Sequence, residues 1–237
     1  MSQSRYPTAS AIVNTNHVRE ELNIQKAQAN SEAFKRTLTV CAAKDIDRDS
    51  NTVLSPSLRT QVLQMDTSRL TNNGALPGVL PLYIDMPVIL RMRNVSTELG
   101  VTNGTQGILK KIVTEKLNDQ TEIPKLAIVH FPSCKAKLRD LPAGYFPIEP
   151  ISWSFTAVLP RNATEESKAV RIRRYQLPIQ PAFAVTGQSA QGKTLPIVLA
   201  PLHDGGFGAY VAASRATSRE GLCILQSVSL SDLNKPL

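Results

Sequence analysis

The chain has 237 residues, 42% of them hydrophobic, and carries 27 Lys and Arg against 19 Asp and Glu, a formal net charge of +8. That length suits one large domain or two small ones with a buried core. No apolar run approaches the roughly 18–20 residues that span a bilayer, and the polar start Met1-Ser2-Gln3-Ser4-Arg5 is unlike a secretory signal. Cys41, Cys134 and Cys223, with His17, His130 and His203, are too scattered to give a disulfide framework or a metal-ligand spacing. The expectation is an intracellular protein with no membrane segment and no metal of its own, whose excess of cations favours a polyanionic partner.

Residues 8–13 read as a strand. Asn14-Thr15-Asn16 then supplies capping side chains for a helix to about Ala29, with Val18 and Leu22 one turn apart. Residues 36–43 alternate enough for a second strand, and 44–80 are polar and turn-rich, with a helix near 58–65. From Pro81 the texture changes to short apolar runs (82–92, 105–114, 126–131, 151–158 and 168–177), with turn signals at Asn103-Gly104 and Pro142-Ala143-Gly144. This middle third reads as a small antiparallel barrel or sandwich.

Basic residues gather at Arg91 and Arg93, at Lys110-Lys111, at Lys135-Ala136-Lys137-Leu138-Arg139, and most densely at Arg171-Ile172-Arg173-Arg174. Each cluster is either a polyanion contact or a strand edge charged against aggregation. Tyr145, Phe146, Trp153 and Phe155 are either stacking platforms for bases or core. After Pro181 the order becomes strand, polar turn, strand, helix, strand. The helix runs from Phe207 to about Ala216, opened by Asp204-Gly205-Gly206, and the last strand covers 222–228. The whole is an α/β pattern interrupted by a β insertion.

Gly187-Gln188-Ser189-Ala190-Gln191-Gly192-Lys193-Thr194 matches the phosphate-cradling pattern G-x-x-x-x-G-K-[ST]. Such a loop needs a strand before it and a helix beginning at Gly-Lys-Thr, so that backbone N–H groups and the helix dipole face the phosphates. Ala182-Phe183-Ala184-Val185-Thr186 provides the strand. Pro196 and the β-branched run Ile197-Val198-Leu199 oppose the helix. No apolar run ending in a carboxylate stands where a second nucleotide motif belongs: Asp204 follows too closely, and Asp85 lies upstream, ahead of Met86-Pro87.

Read with its flanks, the segment belongs to an ordered set. Asn16-x6-Asn23 behind a strand resembles a "tN..v..iN" pattern. Leu80-Pro81-Leu82-Tyr83-Ile84-Asp85-Met86-Pro87-Val88-Ile89-Leu90, then Arg93-Asn94 and Asn103-Gly104-Thr105-Gln106-Gly107, resembles "L.L..G.PVmLLRN…NGT.G". Gln176-Leu177-Pro178-Ile179, returning to Ala182–Thr186 and Gln191-Gly192-Lys193-Thr194-Leu195, is similar to helicase motif V. Tyr210-Val211-Ala212-Ala213-Ser214-Arg215-Ala216-Thr217-Ser218 is similar to motif VI, "YVALSR.T". In this order the segments resemble the second half of superfamily-one 5′→3′ DNA helicases of the RecD-like, petite-integration-frequency and Helitron types. The chain departs from the pattern at Ser189 and Ala190, where a basic or polar residue and Ser are usual, and at Ala213, where Leu is usual.

The resemblance implies a RecA-like second helicase domain interrupted by a small SH3-like β-barrel insertion. Residues 1–92 and 179–237 would form the RecA-like part and 93–178 the insertion. It implies ATP with Mg in a cleft shared with a first RecA-like domain that bears the Walker A and B residues. Gln191 and Gly192 would line that cleft and Arg215 would be the arginine finger; the other reading of Arg215 is a helix-end cation. Thr186, Gln188, Ser189 and Asn16 would contact single-stranded DNA, with helix capping an equal explanation for Asn16. Because the chain starts near the domain junction, it is expected to be either truncated or dependent on a separate N-terminal half, and not to hydrolyse ATP alone. DNA repair or recombination, in the nucleus or mitochondrion if eukaryotic, is the implied setting. Two alternatives remain: a stand-alone P-loop ATPase using Gly187–Thr194, and a non-catalytic single-strand binding module using the β insertion and the basic clusters.

Overall fold

The computed structural model describes residues 9–67, 76–91, 94–118, 121–159, 168–203 and 205–233. Asp204 and Arg93, both named above, lie outside these. The chain divides into two compact units, Met1–Lys26 with Ala182–Leu237, and Ala27–Pro181. The motifs alone drew the divisions at 92/93 and 178/179.

The first unit is a parallel sheet with helices. β1 (Ala9–Val13) lies between β12 (Ala184–Thr186) and β13 (Ile197–Ala200), and β14 (Leu222–Ile224) pairs with β13, giving the order β12-β1-β13-β14. All these pairings are parallel. Ile12, Val185 and Val198 are buried, as continuous apolar strands of a parallel sheet require. α1 (Asn16–Ala33) follows β1, α3 (Gly187–Ala190) follows β12, α4 (Gly206–Ala213) follows β13, and α5 (Leu230–Leu233) lies near the chain end. α4 buries Ala209, Val211 and Ala212 and leaves Phe207 and Tyr210 exposed one turn apart. α1 begins in this unit and ends in the other.

The second unit is mainly antiparallel. β5 (Pro87–Leu90), β6 (Gln106–Asn118), β7 (Thr121–His130), β8 (Tyr145–Ile148) and β11 (Ile179–Pro181) form a sheet ordered β11-β5-β6-β7-β8. β3 (Lys44–Asp47), β10 (Lys168–Gln176) and β9 (Ile151–Leu159) form another, and β2 (Thr39–Ala42) pairs with β4 (Val79–Leu82). β3 and β8 were not expected, because their sequences are too polar or proline-broken to read as strands. α2 (Pro56–Gln64) fulfils the helix expected near 58–65.

The sequence pattern from Asn103 to Gly107 has a steric cause. A Cβ on Gly107 would meet Val129 Cγ1 at 2.6 Å, His130 O at 2.7 Å and Phe131 Cδ1 at 2.7 Å, so β6 crosses β7 too closely for any side chain. Asn94 closes the preceding loop, its Oδ1 accepting from Asn103 N at 2.9 Å.

The densest basic cluster is not a surface patch. Arg171 is exposed and Arg173 half-buried, but Arg174 has no exposed surface. Its Nε and Nη2 donate to the two carboxylate oxygens of Asp45, each at 2.8 Å. Nη1 donates to Leu76 O at 3.2 Å and Nη2 to Val62 O at 2.9 Å, while the guanidinium stands 5.1 Å from the Phe155 ring centroid. Arg174 and Asp45 are directly opposite on antiparallel β10 and β3. Phe155 belongs to a core with Leu54, Val62, Ala157 and Ile172, and Trp153 stacks on it at 4.6 Å. Tyr145 lies 5.1 Å from the His130 ring. Of the four aromatic residues, Phe155 is therefore core and Trp153 packs against it.

Removing one partner of the buried pair strands the other charge. Asp45→Ala and Arg174→Met are each expected to lower unfolding free energy by about 3–5 kcal/mol, and the double substitution to recover much of the loss. Urea titrations of the three variants check this; additive losses would refute the pairing. The thiols give a second test. Burial, with a smaller contribution from Glu122, pushes the Cys41 thiol up to about 12, so it stays protonated at pH 9. A thiol reagent at pH 8–9 is expected to modify exposed Cys223 and to reach buried Cys41 and Cys134 only on unfolding, as mass spectrometry of the labelled chain would read.

Candidate functional site

In a parallel sheet the carboxyl ends of the strands lie along one edge, and the loops leaving them are the natural place for ligands. Val13 is opposite Thr186 in the β1–β12 pairing. Asn14-Thr15-Asn16 and Thr186-Gly187-Gln188-Ser189 therefore leave the sheet side by side, bringing all four residues expected to meet DNA to one edge of one unit.

Thr15, not Asn16, caps α1: its Oγ1 accepts from Val18 N at 3.3 Å. Asn16 is exposed, and its Oδ1 accepts from Arg19 Nη1 at 2.6 Å. Arg19 is 3% exposed, and its Nη2 donates to Glu20 Oε1 at 3.0 Å. Burial lowers the Arg19 pKa and Glu20 opposes the shift, while the guanidinium keeps its proton at any physiological pH. Thr186 caps the short α3, accepting from Ser189 N at 3.4 Å and donating to Ser189 Oγ at 3.0 Å. Gln188 is exposed; Thr186 and Ser189 are half-buried.

Asn23 had no role assigned from the sequence beyond its place in the Asn16-x6-Asn23 pattern. It is 3% exposed. Its Nδ2 donates to Ala184 O at 3.0 Å, and its Oδ1 accepts from Phe183 N at 3.0 Å and Ala184 N at 2.8 Å. A side-chain amide here does the work of a neighbouring strand. A polar residue placed where a helix should turn inward was the available signal.

The second grouping joins Gln191, Gly192 and Arg215. Leu195 bridges Ala216 in parallel, with Leu195 N donating to Arg215 O at 2.8 Å and Thr217 N to Leu195 O at 3.1 Å. Arg215 follows the C-cap Ser214 of α4. Its Nε donates to Val211 O at 3.2 Å, its Nη2 to Ser214 Oγ at 2.9 Å and its Nη1 to Lys193 O at 3.5 Å. Gln191 and Gly192 are exposed. Gly192 has φ +71° with nothing within 4 Å of where a Cβ would stand, so glycine is needed there for backbone conformation.

The stand-alone P-loop reading fails on this geometry. α3 ends at Ala190, ahead of Gly192-Lys193-Thr194, and Lys193 N is bonded to Ala190 O at 3.1 Å. The next regular element is strand β13, beyond Pro196. No helix dipole or fan of free N–H groups begins at Lys193-Thr194, so the match to the nucleotide pattern is one of letters only. The binding-module reading loses Arg174, which is buried and bonded to Asp45, Leu76 O and Val62 O. Among the described residues no group of three or more His, Cys, Asp or Glu could hold a metal ion. No helix among them is long and apolar enough to cross a membrane.

Asn23→Ala would leave three buried backbone groups at Phe183 and Ala184 without partners. It is expected to destabilise the parallel-sheet unit by about 2–3 kcal/mol. Hydrogen exchange should quicken at the Phe183 and Ala184 amides; unchanged protection there would refute the clamp.

No protein-family model matches the chain. The ATP-dependent DNA helicase PIF1 of Saccharomyces cerevisiae (strain YJM789) is 34% identical over 97 residues, covering 40% of this chain and 10% of that protein. The Pif1 helicase from Candida albicans superposes with a TM-score of 0.59 at 21% identity, over 98% of this chain and 48% of the other. The Bacteroides Pif1 helicase solved with ADP-AlF3 and single-stranded DNA gives 0.60 at 16% identity, over 100% of this chain and 44% of the other. The chain thus spans about a tenth of the curated relative and less than half of each solved relative. In fold and in the order of its motifs, it resembles the C-terminal half of a superfamily-one helicase of the Pif1 type.

Proposed function

We propose that this chain supplies the second RecA-like domain of an ATP-dependent 5′→3′ DNA helicase, with an SH3-like insertion within Ala27–Pro181. The observation that carries the reading is the register of β1 with β12, which sets Asn16 beside Thr186, Gln188 and Ser189 at the carboxyl edge of a parallel sheet. Small polar side chains and backbone amides at such an edge suit a sugar–phosphate backbone, which they grip without reading sequence. The solved relative bound to single-stranded DNA supports that partner.

Hydrolysis is assigned to a cleft shared with a P-loop-bearing domain. The residues here fit a phosphate chain in kind: Gln191 and Gly192 offer exposed backbone, and Arg215 a guanidinium beside the same loop. ATP supplies the phosphoryl group, and Arg215 is the arginine finger that stabilises charge as it transfers. In comparable systems such a residue contributes roughly 10³–10⁵ in rate. Its present contacts with Val211 O of α4 and the Ser214 hydroxyl are those of a helix-end cation, and the proposed role requires it to exchange them for phosphate.

The purified chain is expected to bind oligo-dT with log affinity falling linearly in log salt, about 0.7 per phosphate neutralised, and to hydrolyse no ATP with or without the oligonucleotide. Fluorescence anisotropy and a phosphate-release assay read the two outcomes. DNA-stimulated hydrolysis abolished by Lys193→Ala would overturn the reading, as would an absence of oligonucleotide binding at low salt.

A further inference from the structure

Asn16 stands exposed at the start of α1, and its carboxamide is not free to rotate. Arginine carries donors only, so the atom that meets Arg19 Nη1 at 2.6 Å must be the carbonyl oxygen of Asn16. The amide nitrogen, with its two N–H donors, is left facing away from Arg19 on a side chain that solvent reaches. The cation behind it is itself fixed: Arg19 is 3% exposed, spends Nη2 on Glu20, and has a buried Nε with no hydrogen-bond partner. Burying a guanidinium with one nitrogen unsatisfied costs stability, and a helix turn that needed only to be capped has Thr15 for that purpose.

We propose that Arg19 is a positioning residue. It holds the Asn16 carboxamide so that its N–H donors face a non-bridging oxygen of a phosphodiester, and makes this corner of the sheet edge a reader of backbone rather than of bases. This rests on the reading of Asn16 as part of the single-strand path. A freely rotating asparagine could pair with adenine through its oxygen and nitrogen together. With the oxygen held by Arg19 the carboxamide is no longer free to turn both groups toward a base edge, whereas a phosphate oxygen, which only accepts, needs the N–H donors alone.

The test is a double-mutant cycle on the full 237-residue chain with fluorescent oligo-dT, run at several salt concentrations and accompanied by thermal melts. Asn16→Ala should weaken binding about tenfold, the loss of one hydrogen bond to a charged group. Arg19→Met should weaken it by a similar factor, and the double variant no further than either single one. The salt slope of Arg19→Met should match that of the parent, because Arg19 neutralises no phosphate itself. Oligo-dA should behave like oligo-dT for the parent chain.

Multiplying losses in the double variant, or a salt slope shallower by about 0.7 in Arg19→Met, would overturn the proposal and make Arg19 a direct contact. A parent chain that binds no oligonucleotide would sink the strand-path reading itself. A parent that binds with Asn16→Ala unchanged would remove Asn16 from that path and the proposal with it. Arg19→Lys covers the case in which Arg19→Met does not fold. It keeps the charge but cannot fork between Asn16 and Glu20, so a partial loss, absent when Asn16 is already Ala, is expected; full affinity with Lys would show that charge alone suffices and refute the positioning role.

Discussion

The carboxyl edge of the parallel sheet depends on one buried carboxamide. β12 is an edge strand of three residues, bonded to β1 on one side only. A strand so short gains few ladder bonds, and the outward N–H and C=O of its first residue would otherwise be bare. Asn23 reaches across from α1 and satisfies both, together with the preceding amide of Phe183. Thr186, Gln188 and Ser189 follow within one turn, so their placement depends on a helix residue 160 positions before Phe183. The same helix carries Asn16 and Arg19 in its first turn. α1 therefore serves the edge as a strut for β12 and, in the proposed role, also as a ligand arm.

A second long-range pairing governs the β-rich unit. Cross-strand neighbours on an antiparallel ladder point to the same face, and Arg174 and Asp45 are such neighbours on an inward face. The bidentate bonds, the two backbone acceptors and the Phe155 ring satisfy a guanidinium that would otherwise be very costly to bury. Arg171, Ile172, Arg173 and Arg174 alternate outward and inward as a strand must. Periodicity alone could have placed Arg174 inward beside Ile172, but an inward arginine reads as an error unless its partner is known. Asp45 sits 129 residues earlier, in a stretch whose polarity hid the strand β3.

Much of the architecture was legible because it rests on local patterns. The parallel strands are continuous apolar runs, α2 begins at a proline, and the Asn94, Asn103 and Gly107 positions mark a loop and a close crossing whose residue types are dictated by geometry. The site was legible as an order of motifs rather than as single residues. Where single residues misled, they did so for physical reasons. Gly187–Thr194 has the composition of a phosphate loop, yet composition does not say on which side of it the helix lies, and here the helix comes first. Asn16 has the chemistry of a helix cap, yet Thr15 is one residue better placed and takes the role. Asn23 escaped notice because the groups it satisfies are backbone atoms, which no side-chain pattern reveals.

Arg215 shows how two readings of one residue are compatible. In the free chain its guanidinium rests on Val211 O, Ser214 Oγ and Lys193 O, at distances from 2.9 to 3.5 Å and half-exposed to solvent. These are neutral acceptors on the helix end and on the neighbouring loop. A phosphate oxygen is charged, and a guanidinium can pair with it through two parallel bonds. In the proposed role, the helix end is then a resting place that keeps the guanidinium beside Gln191 and Gly192 until an anion arrives. The Leu195–Ala216 bridge fixes where that resting place is, since it ties the loop and the helix end by backbone bonds that survive any side-chain movement. In that role the guanidinium gives up three hydrogen bonds to reach the phosphate, and only its backbone is held in place beforehand.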